Sequence, residues 1–259
     1  MIKMIIFDVD GTLYSRGERV ILDSTISALK RLKEQGYIVV VATGRTFHNI
    51  CKGVLSEYYD YLIAANGHAL MDSEGKMLYL EHFKPEETQA LIDFSVKRNL
   101  GLILKMDDAC YLYGNYNAFN VVRWGDDGVE DFYQGTEKLH LTNPVNCAYI
   151  KCTPEDKMAF TAICPTIKFA HTGTDTYDIY YEKLNKAVTI EFLLHKLNLT
   201  WDNCLAIGDG VNDIEMIVKA KVGVAMGDSH EKLKDIADFI TTGSKEDGIY
   251  HALESYSLL

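Results

Sequence analysis

The apolar positions of this chain fall into two kinds of pattern. Short continuous runs, MIIF at 4–7, YIVVVA at 37–42, YLIAA at 61–65, NCLAI at 203–207 and VGVAM at 222–226, predict strands buried on both faces. Between them apolar residues recur at helical spacing. Leu22, Ile26, Leu29 and Leu32 predict a helix over 22–35 that stops at Gly36. Ile190, Phe192, Leu193, Leu194 and Leu197 predict another over 186–199, with Asn185 as its cap. Further helices are expected over 46–58, 211–220, 230–237 and 246–255, and a strand over 238–241. Asn66-Gly67 followed by 68–72 and 77–80 predicts a turn and a hairpin with Ser73-Glu74-Gly75-Lys76 at its tip. Continuous apolar strands alternating with helices predict a parallel sheet covered on both sides.

Residues 84–182 have a different texture. A helix is expected after Pro85, strands over 102–106, 109–113 and 145–152, a helix over 154–164, and strands over 166–171 and 177–182. A polar stretch rich in Gly and Asp fills 114–128. The fold class that follows is α/β. A Rossmann-like parallel-sheet core is formed by 1–83 and 183–259, and an α+β domain is inserted at 84–182.

Composition narrows the function. At 47% hydrophobic and 24% charged, the 259 residues can bury a core. A net charge of −11 argues against nucleic acid and anionic membrane surfaces, both of which reward clustered Lys and Arg. No apolar run approaches the ~18–20 residues of a membrane span, and the N-terminus lacks the long apolar stretch of a signal peptide. A cytoplasmic protein is expected. Six scattered cysteines without a CxxC pair read as reduced, buried small hydrophobes rather than zinc ligands.

Four motifs fall just after predicted strands or at a predicted helix start. Asp8-Val9-Asp10-Gly11-Thr12 places two carboxylates two residues apart, able to converge on one hard cation, although an acidic turn would look the same. Thr43-Gly44-Arg45 offers a hydroxyl and an unhindered N–H at a helix start, which suits a phosphate but also fits a simple capped turn. Lys186 heads its helix, where a cation is unfavourable, so it points to an anionic partner; it also fits an ordinary surface lysine. Gly208-Asp209-Gly210-Val211-Asn212-Asp213 is the densest of the four. Asp209 could complete a metal site and Asn212 could donate to a substrate. The eight histidines show no metal-ligand spacing.

In this order, DxDGT, TGR, a helix-initial Lys and GDGxND resemble the haloacid dehalogenase superfamily across the whole chain. With Asn66-Gly67, IGDGVNDIEMI at 207–217, VAMGDS at 224–229 and EDGI at 246–249, the chain resembles its Cof-type subfamily, whose inserted domain is a C2 cap. One departure is Asp228, where that subfamily usually carries Asn. The resemblance implies a Mg²⁺-dependent phosphatase acting on a small phosphorylated metabolite, such as a sugar phosphate, through an aspartyl-phosphate. Asp8 matches the nucleophile and Asp10 the general acid/base. Asp8, the Asp10 carbonyl and Asp209 match the Mg²⁺ ligands, and Thr43, Gly44, Lys186 and Asn212 match the phosphate-binding groups. Asp213 would hold Lys186 or a metal-bound water, and Arg45 faces the substrate entrance or serves structure. The insertion would be a mobile cap that selects substrate; the polar stretch 114–128, with Tyr116, Asn117, Asn120, Arg123 and Trp124, could reach it but fits a solvated surface loop equally well. Two other readings of the same motifs are a phosphomannomutase-like phosphotransferase and a non-catalytic metabolite sensor. No obligate protein partner is evident in the sequence.

Overall fold

A computed structural model describes residues 1–18, 20–45, 57–106, 109–119, 132–181 and 183–259. The chain forms two compact units, one of Met1–Gly44, Val54–Tyr79 and Lys186–Leu259, the other built on Leu80–Asn185. It begins with β1 (Met4–Phe7), α1 (Asp23–Glu34), β2 (Ile38–Ala42), β3 (Tyr61–Ala64), β4 (Ala69–Asp72) and β5 (Met77–Leu80). The second unit follows with α2 (Pro85–Lys97), β6 (Gly101–Met106), β7 (Cys110–Gly114), β8 (Phe132–Gln134), β9 (Val145–Lys151), α3 (Pro154–Ile163), β10 (Ile167–Gly173) and β11 (Thr176–Tyr181). The chain then returns to the first unit with α4 (Lys186–Lys196), β12 (Cys204–Gly208), α5 (Ile214–Lys219), β13 (Val222–Ala225), α6 (Glu231–Lys234), β14 (Phe239–Ile240) and α7 (Gly248–Ser255).

The first unit is one eight-stranded sheet in the order β14-β13-β12-β1-β2-β3-β4-β5. The pairs from β14 through to β3 are parallel, and β4 returns antiparallel to β3. Alternate residues of β1 serve opposite faces. Met4 and Ile6 join Ile190, Leu193, Leu194 and Met216 in one core cluster, which leaves the equally buried Ile5 and Phe7 to the other face. Burial on both sides explains why these strands read as unbroken apolar runs. From β1 the chain winds outward through β2 and β3, then resumes on the other side of β1 with β12. That reversal leaves a crevice outside the carboxyl ends of β1 and β12, the position where open α/β sheets bind ligands.

The second unit is a six-stranded sheet in the order β10-β11-β9-β6-β7-β8, antiparallel except for the β7–β8 pair. Leu102, Leu104, Ile150 and Ile179 from its strands pack with Leu91, Phe94 and Phe160 of α2 and α3. Thr153 and Asp156 cap α3 reciprocally: Asp156 N–H donates to Thr153 Oγ1 at 3.2 Å and Thr153 N–H to Asp156 Oδ2 at 3.2 Å.

Several boundaries differ from the pattern-based expectation. The strand expected over 61–65 stops at Ala64, because Ala65–Gly67 form a 3₁₀ turn in which Asn66 takes φ +54°. The helix expected over 211–220 opens with a 3₁₀ turn, Val211–Asp213, before α5. α6 is a single turn where 230–237 was expected. β8 is three residues long, too short for periodicity to reveal. The expected helix over 46–58 lies almost entirely outside the described residues, as do Asn120, Arg123 and Trp124. Among the described residues, no helix is long and apolar enough to cross a membrane, and five cysteines are free and buried.

Candidate active site

The site grows out of three strand ends. Phe7 is in register with Val41 on one side and Ile207 on the other. Asp8, Thr43 and Asp209 therefore leave the same edge of the sheet. Asp8 extends the ladder by one bond, its N–H donating to Ile207 O at 3.0 Å. The chain then turns through Gly11, whose φ of +84° is a conformation that L side chains rarely adopt. Gly11 N–H donates to Tyr14 O at 2.9 Å and closes the loop. A Cβ at Gly11 would stand 2.4 Å from Asp209 Oδ2, so the absence of a side chain is what lets the two loops approach.

Lys186 is the electrostatic centre. It starts α4, is 1% exposed, and places Nζ 2.5 Å from Asp8 Oδ1 and 2.6 Å from Asp213 Oδ1. An isolated ammonium at this depth would be prohibitively costly, and the two carboxylates offset that cost. They raise the Lys186 pKa against the pull of burial. The other oxygen of Asp213 accepts from the N–H groups of Asp209 and Gly210 at 3.0 and 2.9 Å. Asp213 thus fixes both the lysine and the GDGVND loop. Gly208 is required beside it, since a Cβ there would meet the Asp213 carboxyl at 2.7 Å.

Ligand oxygens of Asp8, Asp209 and Asp213 all lie within 4.8 Å of one another, and all three side chains are buried. Three carboxylates face two cations, the Lys186 ammonium and the Arg16 guanidinium on Asp209, which leaves a formal charge of −1. Burial first, and then the Asp213 charge, push the Asp8 carboxyl well above the usual range, with Lys186 pulling the other way. The same two causes push Asp209 up to about 7, opposed by Arg16 and Lys186. The cluster is short of positive charge, and its buried hard oxygen donors fit a divalent cation of the Mg²⁺ type.

Thr43 is buried at the end of β2, its N–H donating to Ile63 O at 2.8 Å while its carbonyl accepts from Asn66 N–H at 3.0 Å. A Cβ at Gly44 would lie 3.1 Å from the Asn66 side chain, and Asn212 Nδ2 donates to Asn66 Oδ1 at 3.1 Å. Asn66 therefore ties the Thr43-Gly44 loop to the GDGVND loop. The sequence shows its Asn-Gly pair as a turn and as part of the family resemblance, without a role for the Asn66 side chain. The Asp10 side chain is exposed and stands outside the carboxylate group. Arg45 is half-buried one residue beyond Gly44. Arg16 was not foreseen: its guanidinium pairs with Asp209 across 193 residues of sequence.

A family model described as haloacid dehalogenase-like hydrolase matches residues 5–253. The chain is 28% identical to the 5-amino-6-(5-phospho-D-ribitylamino)uracil phosphatase of Bacillus subtilis, covering 99% of this chain and 96% of that protein. It is 29% identical to the HMP-PP phosphatase of Yersinia pseudotuberculosis, covering 90% and 87%. It spans only 54% of a Streptococcus pyogenes protein whose name joins a phosphatase to a peptidyl-prolyl cis-trans isomerase. Among solved structures, a subclass IIB sugar phosphatase of the same superfamily superposes with a TM-score of 0.88 at 25% identity, over 99% of this chain and 100% of that one.

Proposed function

The chain belongs to the haloacid dehalogenase-like hydrolase family, and from that premise we propose a Mg²⁺-dependent phosphatase that hydrolyses a small phosphorylated metabolite through an aspartyl-phosphate on Asp8. That it is a phosphoric monoester hydrolase accords with the phosphatases among its relatives. A sugar phosphate or similar phosphomonoester is the substrate class, in line with the sugar phosphatase among its structural neighbours. The observation that carries the mechanism is the buried group of Asp8, Lys186, Asp209 and Asp213, with its unmet negative charge.

In the first step an Asp8 carboxylate oxygen bonds to phosphorus while the bond to the leaving oxygen breaks, and Asp10 gives its proton to the departing alcohol. In the second, Asp10 takes a proton from water, which attacks the same phosphorus. Phosphate leaves and the Asp8 carboxylate is restored. An exposed Asp10 suits a group that must meet both the leaving alcohol and solvent. Lys186 holds Asp8 in place and offsets charge as the phosphoryl group transfers. Thr43, Gly44 and Asn212 orient the phosphate oxygens, with Asn66 linking their loops. Mg²⁺ would be held by Asp8, Asp209 and the Asp10 carbonyl, and supplies the positive charge that lets an anionic nucleophile approach an anionic substrate. Substrate selection is assigned to the second unit.

The test is phosphate release from a panel of sugar phosphates, nucleotides and cofactor phosphates, with Mg²⁺ or with excess EDTA. Release that needs the metal supports the reading. Full release in EDTA contradicts the metal requirement. A phosphoryl group retained on a sugar identifies a phosphomutase instead.

A further inference from the structure

Arg16 sits between two carboxylates of unequal burial. Its guanidinium pairs with Asp209, a proposed metal ligand whose side chain is 11% exposed, and its Nε lies 3.6 Å from Asp228 Oδ2, whose side chain is 33% exposed. The loop around Arg16 is anchored on that outer side. Arg16 N–H donates to Ser244 Oγ at 2.9 Å, and Ser244 in turn donates to Asp228 through N–H at 3.1 Å and Oγ at 2.9 Å. The Arg16 backbone and Asp228 are thus pinned to the same residue. The guanidinium, 49% exposed on a long stem, reaches both the inner and the outer acid.

We propose that Arg16 is a displaceable counter-ion. It neutralises Asp209 when no cation is bound and retreats to Asp228 when one binds, so that Arg16 and Asp228 together set the cation affinity of the site. This rests on the metal reading given above. The physical reason is direct: a guanidinium and a divalent cation compete for one buried carboxylate, and removing either partner of the competition shifts the other. Asp228 lowers the cost of displacement by offering the arginine a second anion within reach. Arg16 and Asp228 are positioning residues in this scheme, since they act through Asp209.

The test is calorimetric titration of the whole protein with MgCl₂ alone. Arg16→Ala is expected to tighten Mg²⁺ binding and Asp228→Asn to weaken it, each by roughly two- to five-fold, the span of a half-exposed ion pair. Arg16→Lys should stay close to the native protein. Asp228→Asn keeps a carbonyl oxygen for Ser244, so a folded variant with altered affinity isolates the charge. The opposite directions are the signature. Weaker or unchanged binding in Arg16→Ala would overturn the inference, because it would make Arg16 a support for the bound state or a bystander. A native protein that binds no Mg²⁺ would overturn the metal reading itself, whereas normal native binding with unmoved variants would overturn only the counter-ion.

Discussion

Each unit of this protein buries a carboxylate near a cation, and the two are resolved differently. In the antiparallel unit, burial would raise the pKa of Asp156, but hydrogen bonds from Thr153 and the Arg98 guanidinium outweigh it and hold the carboxyl below its ordinary value. That network is closed, and all of its partners are nearby parts of the same helical layer. In the parallel-sheet unit, Asp8 and Asp209 are pushed the other way by burial and by Asp213. One lysine and one half-exposed arginine face three acids. An acid whose needs are met inside the protein supports structure, and an acid left in deficit marks a place where something else must bind.

The sharpest way to break this contrast is at Lys186. Lys186→Ala leaves Asp8 and Asp213 buried without a counter-charge and is expected to cost about 3–5 kcal/mol, read by denaturant unfolding. A loss under about 1 kcal/mol would mean that the carboxylates already find compensation elsewhere, and the deficit would not exist. Gly11→Ala comes next, combining a left-handed backbone with a clash on the Asp209 carboxylate. It should cost about 1–3 kcal/mol and weaken Mg²⁺ binding. Unchanged unfolding and unchanged Mg²⁺ titration would show that the loop relaxes freely.

Proton linkage gives a smaller and more diagnostic effect. The folded pKa of Asp209, about 7, lies above its unfolded value. The native state therefore holds the extra proton, and stability from this group is lost as pH rises through the neutral range. A cation that needs the ionised form should restore it. The gain in Tm on adding Mg²⁺ is expected to be larger near pH 8 than near pH 5.5. Asp156 has the opposite sign: its stabilisation is present above the unfolded carboxylate value and lost as pH falls through the lower folded one. Asp156→Asn should remove that acid-side loss and leave the Mg²⁺ effect untouched. Equal Mg²⁺ gains at both pH values would contradict the deficit in the first unit.

The smallest stability effect is expected in the second unit. Tyr116 is 41% exposed, and its hydroxyl accepts from Gln134 Nε2 at 3.0 Å. Tyr116→Ala should change stability by no more than about 0.5 kcal/mol, yet alter the ranking of natural phosphoesters more than the turnover of a small generic one. Equal losses across all substrates would count against this unit as selector.

These regions also differ in what their sequences disclose. The β1 run with DVDG and the β12 run with GDGVND could be read because a strand end fixes where the next few residues go. Locally contiguous residues then land together. Lys186, 178 residues from Asp8, could be read from a cation at a helix start and from its place in the order of motifs. Arg16 and Asn66 could not be read so directly. Arg16 meets Asp209 across 193 residues and Asn66 meets Asn212 across 146, and neither carries a local signal of the partner. Asn66 had half a signal, since an Asn-Gly pair announces a left-handed turn but not the side chain's destination. The main helices and strands of the second unit were expected from its sequence, while β8 was too brief to register. Its polar residues formed no motif with a fixed spacing to recognise.

The most direct test of the central claim is Asp8→Asn, assayed for phosphate release with saturating Mg²⁺ alongside thermal unfolding. The account predicts that release falls by at least about 10³-fold, since the nucleophile is gone. Tm should hold or rise in metal-free buffer, because one buried negative charge is removed from a cluster in deficit. Native-like release by a folded Asp8→Asn would place the nucleophile elsewhere and contradict the account.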